Sequence, residues 1–467
     1  MHTMYEEALR EVGALSPKLP KVFEAAEQVI TRNIEPEMRA LMTANELVTF
    51  AGHLRKNIGW KGSSIPVNSI GILIGESGSG KGRALGAIQK ILEPAFVLID
   101  RSREEQAKLQ AVIAATEAGK PETKWKEFHS KPRPLTVAVS TLPGWVKHLN
   151  SLEEGYLGAG TLYVDEFASE LASSKDLPEL ISSLAIVYDS GKLPVKAVKD
   201  DANQGKPVHN LPVSALLFGS PHGLIYNEAV KKKFIDEASS KLARRAIFCF
   251  SQKKAEHKIY DSIEESRNAD KIEDERVSTT TESLRPWFEN LVNITVKDDL
   301  GIDDGVESLF SDYYNYNQRL ADTVSMLYPL TKIHRQHRQW AALKISGAVA
   351  ILEGETSIQT RHYIEAINFV EMFTEDLEQF EIELNKESYE LASDYMQKTA
   401  INGYFRMSIH QLRKMGFIKG NGSPKNKLAE FVELIKSYDD VNKYESDNGY
   451  IHFYEADELH QEHEELA

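Results

Sequence analysis

The sequence predicts an α/β fold: a mostly parallel sheet covered on both faces by helices, then a largely helical region, then a small α+β module. Three observations predict it. Between residues 66 and 255, short apolar runs alternate with amphipathic helix-length segments, as parallel sheets require because each crossover carries a helix. A glycine-rich turn, Gly75–Gly82, sits between an apolar run and a helical one. Residues 396–456 change character again, to two helical patterns and a pair of alternating strands around Asn448 and Gly449.

Composition bounds the answer. The 467 residues, 42% hydrophobic and 27% charged, allow two or three domains with substantial cores. The longest apolar stretches are strand-sized, so no membrane partner is expected. Met1–Glu7 lacks the basic-then-apolar pattern of a secretory signal. The single cysteine, Cys249, excludes an internal disulfide and a cysteine-rich zinc site and reads as part of a buried strand. These features point to the cytoplasm, the host's if the chain is viral. The net charge of −15 argues against a uniformly nucleic-acid-binding surface. Much of the acid, however, lies in residues 365–390 and in the tail Glu455–Ala467, read as a solvated face and a loose end.

Taken in order, residues 1–65 read as an N-terminal helical segment, with apolar spacing through Val22–Ile30 and Leu41–Leu54. Residues 66–255 form the α/β core, with strands expected at 69–74, 95–100, 135–140, 160–165, 212–219 and 245–250. The first strand runs into Gly75-Glu76-Ser77-Gly78-Ser79-Gly80-Lys81-Gly82, which matches the phosphate-loop pattern G-x-x-x-x-G-K-[ST] at every fixed position but the last. Arg83 opens the helical run that follows. Glycines let the backbone N–H groups turn inward onto phosphate oxygens, the helix N-terminus adds a favourable dipole, and Lys81 adds a full charge. ATP is the implied ligand, held by residues 75–83. Gly82 stands where a hydroxyl normally meets Mg²⁺, leaving that position to water or to Ser77 or Ser79, with slower hydrolysis expected.

The strand at 160–165 ends in Asp165 and Glu166. Asp165 suits Mg²⁺, directly or through water, and Glu166 suits polarising the attacking water; the alternative is a strand running into an acidic helix cap. Lys192–Leu211 alternates valine and lysine around a polar turn, giving an exposed hairpin bearing Lys192, Lys196, Lys199 and Lys206. Those lysines suit phosphate contacts to nucleic acid, or simply the protection of a sheet edge. Arg244 and Arg245 precede the strand at 245–250; one of them acts as an arginine finger on a neighbour's nucleotide, or both face solvent. Residues 256–285 read as a linker or exposed helix and 286–395 as helical. His334, His337 and His362 lack a metal-ligand pattern and read as surface or phosphate-contacting groups.

The order of phosphate loop, acidic strand end, basic hairpin, apolar strand and arginine pair resembles AAA+ replication ATPases. It is most similar to phage- and plasmid-type proteins, including superfamily 3-like and primase/helicase-type helicases. Val137–Leu149 resembles the strand and helix that precede the acidic strand in that group, and Gln339–Gly354 resembles its helical lid. The resemblance implies that Ser220, after the strand at 212–219, senses the γ-phosphate, with His222 second. It places Lys344 where an arginine is common, with Arg335 and Arg338 as alternatives. It implies that residues 256–395 are lid and linker and that the lysine hairpin meets DNA. Residues 396–467 resemble a winged helix with an acidic tail, whose Lys414, Lys419, Lys425 and Lys427 fit DNA phosphates unless the module docks protein.

The expectation is therefore an ATP hydrolase using ATP and Mg²⁺: a DNA motor acting in replication, a helicase on single-stranded or forked DNA. It works as a homo-oligomer in a hexameric ring, with replication proteins as further partners. Its rival is an ATP-gated initiator or loader that hydrolyses little and unwinds nothing; a third class, a protein remodeller, ignores DNA.

Overall fold

A computed structural model describes residues 4–31, 34–129, 131–132, 134–137, 141–153, 157–194, 208–251, 262–294, 299–415, 417–418 and 424–456. Helices α1 (Met4–Glu11) and α2 (Lys21–Glu27) lead into α3 (Pro36–His53), which opens on a proline and is buried along most of its length. A hairpin follows, β1 (Asn57–Trp60) and β2 (Ser63–Pro66), turning on Lys61 and Gly62, both at positive φ. The expectation of helix throughout residues 1–65 is corrected here, because a two-residue turn with glycine second selects a hairpin.

Strand β3 (Ile70–Gly75) opens the main sheet, and α4 (Lys81–Glu117) runs for 37 residues after it. The strand expected at 95–100 is overturned. Ala95 and Ile99 continue the buried stripe of Ile88, Ile91 and Leu92 at helical spacing, while Val97 faces solvent. Pro94 lies inside this helix and removes the N–H that would bond the Lys90 carbonyl; Arg285 donates to that oxygen instead, at 3.2 Å.

The core continues through β4 (Thr136–Val137), α5 (Leu142–Glu153), β5 (Gly160–Val164), α6 (Phe167–Ser173), α7 (Leu177–Ser190) and β6 (Val213–Gly219). After α8 (Pro221–Ile225) and α9 (Glu228–Glu237), strand β7 (Ala246–Ser251) returns to the sheet. Residues expected as linker or exposed helix fold as α10 (Ile263–Asn293), whose cap, Ser262, accepts the Glu265 N–H at 3.1 Å. Then come β8 (Gly301–Ile302), α11 (Asp304–Thr323), α12 (Pro329–Leu352), β9 (Ser357–Ile358), α13 (Thr360–Glu371) and α14 (Asp376–Asn385). The chain closes with α15 (Ser388–Thr399), β10 (Tyr404–Ser408), α16 (Ile409–Lys414), α17 (Pro424–Tyr438), β11 (Lys443–Asp447) and β12 (Tyr450–Tyr454).

Two compact units result: Met1–Ser220 with Asp236–Glu378, and Pro221–Ile235 with Gln379–Ala467. The first is a mixed α/β unit around one five-stranded parallel sheet of order β4-β5-β6-β3-β7. Its strands read as continuous apolar runs because both faces are covered: every residue of β3 and β6 is buried. Polar side chains pin α3 to the sheet. Asn45 Nδ2 donates to Ser69 Oγ and to the Ala215 carbonyl, each at 3.1 Å, and the Tyr163 hydroxyl bonds the Glu46 carboxylate. Among α11, α12 and α13, buried Arg338 pairs with Glu371 at 2.6 Å and donates to Asn317 Oδ1 at 3.0 Å.

The second unit holds the antiparallel sheet β10-β12-β11. Met407, Leu412, Ile435, Tyr444, Ile451 and Phe453 form its core. The hairpin turns on Asn448 and Gly449, both at positive φ, as expected. The first of the two helical patterns expected in residues 396–456 starts only at Ile409; Met407 and Ser408 belong to β10, and Ser408 is the cap of α16, accepting the Gln411 N–H at 3.2 Å. No described helix is long and apolar enough to cross a membrane.

Candidate functional site

The order β4-β5-β6-β3-β7 makes β3 the turning point of the sheet. The chain leaves β3 for the far edge at β4, works back through β5 and β6, and then crosses to the other side for β7. Ligands of open α/β sheets bind outside the carboxyl ends of the strands at such a point. The glycine-rich loop leaves the carboxyl end of β3 there.

Local sequence explains the loop. Gly78 and Gly80 take φ of +84° and +86°, which L side chains seldom adopt, and Gly80 caps α4 without any side-chain hydrogen bond. A Cβ on Gly75 would collide with Met38 Cε, and one on Gly80 would come within 2.8 Å of Ile34. The loop is therefore held against α3 and the segment before it. Nothing lies within 4 Å of the place a Cβ would take on Gly82. Ser79 is buried and its Oγ has no hydrogen-bond partner, whereas Glu76, Ser77 and Arg83 are half-buried or exposed.

Lys81 gathers the site. Its Nζ donates to the Gly75 carbonyl at 2.9 Å and to the Gly219 carbonyl at 3.2 Å, the carboxyl ends of β3 and β6. Burial lowers its pKa, and the charges of Glu166, Asp165 and Glu76, in that order, pull it back up. The ammonium thus lies in the field of the acid pair that follows β5. Asp165 and Glu166 are exposed, and buried Phe167 behind them anchors α6. Ser220 follows Gly219 directly and is half-buried. The loop, both acids and Ser220 thus lie at the carboxyl ends of the adjacent strands β3, β5 and β6.

This donor set fits a nucleoside phosphate. It combines an uncapped helix N-terminus, positive-φ glycines, a lysine already bonded to oxygens and an orphaned buried hydroxyl. No group of three or more His, Cys, Asp or Glu able to hold a metal occurs among the described residues. Mg²⁺ does not need one, since it is held by one or two carboxylates with water and phosphate.

The arginine pair lies elsewhere. Arg244 and Arg245 precede β7, at the amino end of a six-residue strand parallel to β3. Arg245 is buried and forks onto Asp189, its Nε 2.8 Å from Oδ1, while Nη1 donates to the Lys241 carbonyl at 2.7 Å. Arg244 is 46% exposed and only 4.0 Å from the same carboxylate. The pair expected as interchangeable is divided into a buried tie and a half-free cation. Lys192 is exposed, and Leu193 and Val208 exchange N–H···O bonds at 3.0 Å, closing the base of the expected hairpin. Lys196, Lys199 and Lys206 lie outside the described residues, as does Lys419; so do the side chains of Lys425 and Lys427.

Four side chains expected at the site are elsewhere engaged. Lys344 is buried and donates to the Pro66 carbonyl (2.8 Å), Asn68 Oδ1 (2.7 Å) and the Tyr188 carbonyl (2.9 Å). Arg335 pairs with Glu378 at 2.6 Å, and Arg338 with Glu371. His222 packs its ring on Tyr226, centroids 5.4 Å apart. The surface reading of His334 and His362 is corrected: both are buried, His362 Nδ1 accepts the Gln359 N–H at the start of α13, and burial beside Arg338 and Arg335 pushes His334 down to about 3. The Glu46–Tyr163–Gln89 network, which ties α3 and α4 to the strand ahead of Asp165, was not expected. Its signal is a run of polar residues, Thr43, Asn45, Glu46 and Thr49, inside an otherwise apolar helix.

Compared with models of known families and with curated proteins, the chain matches none.

Proposed function

We propose that the chain is a P-loop ATPase with an AAA+-like core, working as a ring-forming DNA motor of the superfamily 3-like or primase/helicase type. The observation that carries the reading is Lys81: it lies at the mouth of a glycine loop, bonds the carboxyl ends of β3 and β6, and feels Asp165 and Glu166. The sheet order supports it by putting the loop at the turning point of the sheet. Backbone N–H groups of residues 75–82 and Lys81 hold the phosphates, Asp165 holds Mg²⁺, Glu166 orients water and Ser220 reads the terminal phosphate. ATP with Mg²⁺, when bound, supplies the phosphoryl group whose transfer drives movement. In the second unit the order α15-β10-α16-α17-β11-β12 supports a winged helix.

Gly82 favours one second reading, an ATP-gated initiator or loader, because the hydroxyl expected on Mg²⁺ is missing. ATP turnover with and without single-stranded DNA separates the two. A motor shows DNA-stimulated turnover that Glu166→Gln and Lys81→Ala abolish. A loader binds ATP and assembles with little turnover. Turnover indifferent to DNA overturns the motor, and absence of ATP binding overturns both.

A further inference from the structure

The outer face of the β10-β12-β11 sheet carries aromatic rings and charged side chains. Strand register sets Tyr404 and Lys443 on either side of Tyr454, Arg406 and Glu445 on either side of His452, and Ser408 and Asp447 on either side of Tyr450. Alternation turns Met407, Tyr444, Ile451 and Phe453 into the core and leaves four rings outside. Tyr404 and Tyr450 are 39% and 37% exposed. The rings lie side by side: Tyr404–Tyr454 centroids are 5.3 Å apart, Tyr450–His452 6.4 Å, and His452–Tyr454 6.5 Å with planes only 16° apart. The Tyr404 hydroxyl and His452 Nδ1 are 2.9 Å apart, which steadies two of them. Arg406 lies 5.2 Å from the Tyr450 ring centre and Lys443 5.4 Å from that of Tyr454. Carboxylates are confined to the β11 edge, where Lys443 meets Glu445 at 3.0 Å and the Asn448 amide bonds Asp447 at 2.8 Å.

No outward position of these three strands is aliphatic. The buried centre of a protein–protein surface is depleted of charged residues. This one offers amphipathic rings and cations, the pairing that takes bases on π-faces and phosphates on charges. We propose that this face is a stacking platform for single-stranded nucleic acid, with Tyr404, Tyr450, His452 and Tyr454 under the bases and Arg406 and Lys443 toward the backbone. The occupant rests on the reading of the chain as a motor on single strands. Stacking of this kind tolerates any sequence.

The test uses the full-length protein without nucleotide and an oligothymidylate bearing 5-iodouracil. Ultraviolet crosslinks are expected on Tyr404, Tyr450 or Tyr454, read by peptide mass spectrometry. Tyr404→Ala with Tyr450→Ala is expected to weaken oligothymidylate binding at least about 30-fold, and the corresponding double Phe variant to restore it, since stacking contributes about 1–3 kcal/mol per base and two rings are removed. Duplex of equal length is expected to bind less tightly at this face. Crosslinks mapping only elsewhere, or unchanged affinity in the Ala variant, overturn the platform; tyrosines that only pair across strands give that result. Should the Ala variant fail to fold, crosslinks on the unmodified protein decide alone. ATP binding is measured on the same samples. ATP bound with no oligonucleotide on the sheet removes the platform and leaves the ATPase, whereas the reverse leaves the platform and removes the ATPase.

Discussion

Gly82 sits in the first turn of α4 with open space where a side chain would go. Gly82→Ser is therefore expected to fold normally and to gain about 0.5 kcal/mol of helix stability from replacing glycine. Under the proposed function its hydroxyl would supply the oxygen missing beside Mg²⁺, so the Mg²⁺ concentration for half-maximal ATP turnover should fall several-fold. An unchanged Mg²⁺ titration would show that water or Ser79 already serves. The arginine pair separates just as sharply. Removing Arg245 strands Asp189, but that carboxylate is half exposed, so Arg245→Ala should cost about 1–3 kcal/mol in denaturant unfolding, below the cost of a fully buried pair. Arg244→Ala should change stability by less than about 0.5 kcal/mol. Glu46 gives a pH signature. Burial pushes its pKa from 4.5 up to about 7, against hydrogen bonds from Tyr163 and Gln89. Between those values the folded state binds the extra proton, so stability falls as pH rises through that window and is level above it. Glu46→Gln should gain up to about 3 kcal/mol over the natural chain at pH 8 and nothing at pH 4.5, measured by urea unfolding.

Elements show what the sequence made legible and what it hid. β3, β5, β6 and β7 were readable because fully buried parallel strands are short, apolar and bounded by glycine or polar turns. The segment 95–100 has the same local character and was misread, because only the continuation of the stripe from Ile88 to Ile99 decides for helix. The loop and acid pair were legible from spacing alone. The engagement of Lys344 and Arg338 was not, since a buried cation is invisible until the chain supplies its acceptors. Pro94 gives the element-scale prediction. Pro94→Ala should restore the bond to the Lys90 carbonyl and stabilise the protein by about 1–3 kcal/mol. Arg285→Ala should then cost less in the Pro94→Ala background than in the natural one, because the carbonyl it serves has regained its helical donor. A double-mutant cycle in urea reads the difference; additive effects would mean that Arg285 acts through other contacts.

At the scale of the whole molecule, the two ends of the sheet carry different chemistry. The glycine loop, acid pair and Ser220 occupy the carboxyl ends of the strands, while Arg244 and the base of the lysine hairpin occupy the amino ends. A six-residue strand separates such ends by about 17–20 Å. Arg244 therefore cannot reach the glycine loop of its own chain without unravelling β7, and under the proposed function any catalytic use of it needs a second copy. That makes assembly a testable consequence of topology. On that proposal Lys81→Ala should be inactive because its own site would no longer hold phosphate, and Arg244→Ala because no finger would reach its neighbour. Mixed together, some interfaces pair an intact loop from the Arg244→Ala chain with an intact arginine from the Lys81→Ala chain. The mixture should recover a measurable fraction of ATP turnover, rising and falling with mixing ratio and greatest near equal amounts. A mixture as inactive as its parents, in a preparation shown by light scattering to be oligomeric, would assign Arg244 to structure alone and leave the ATP site to work within one chain.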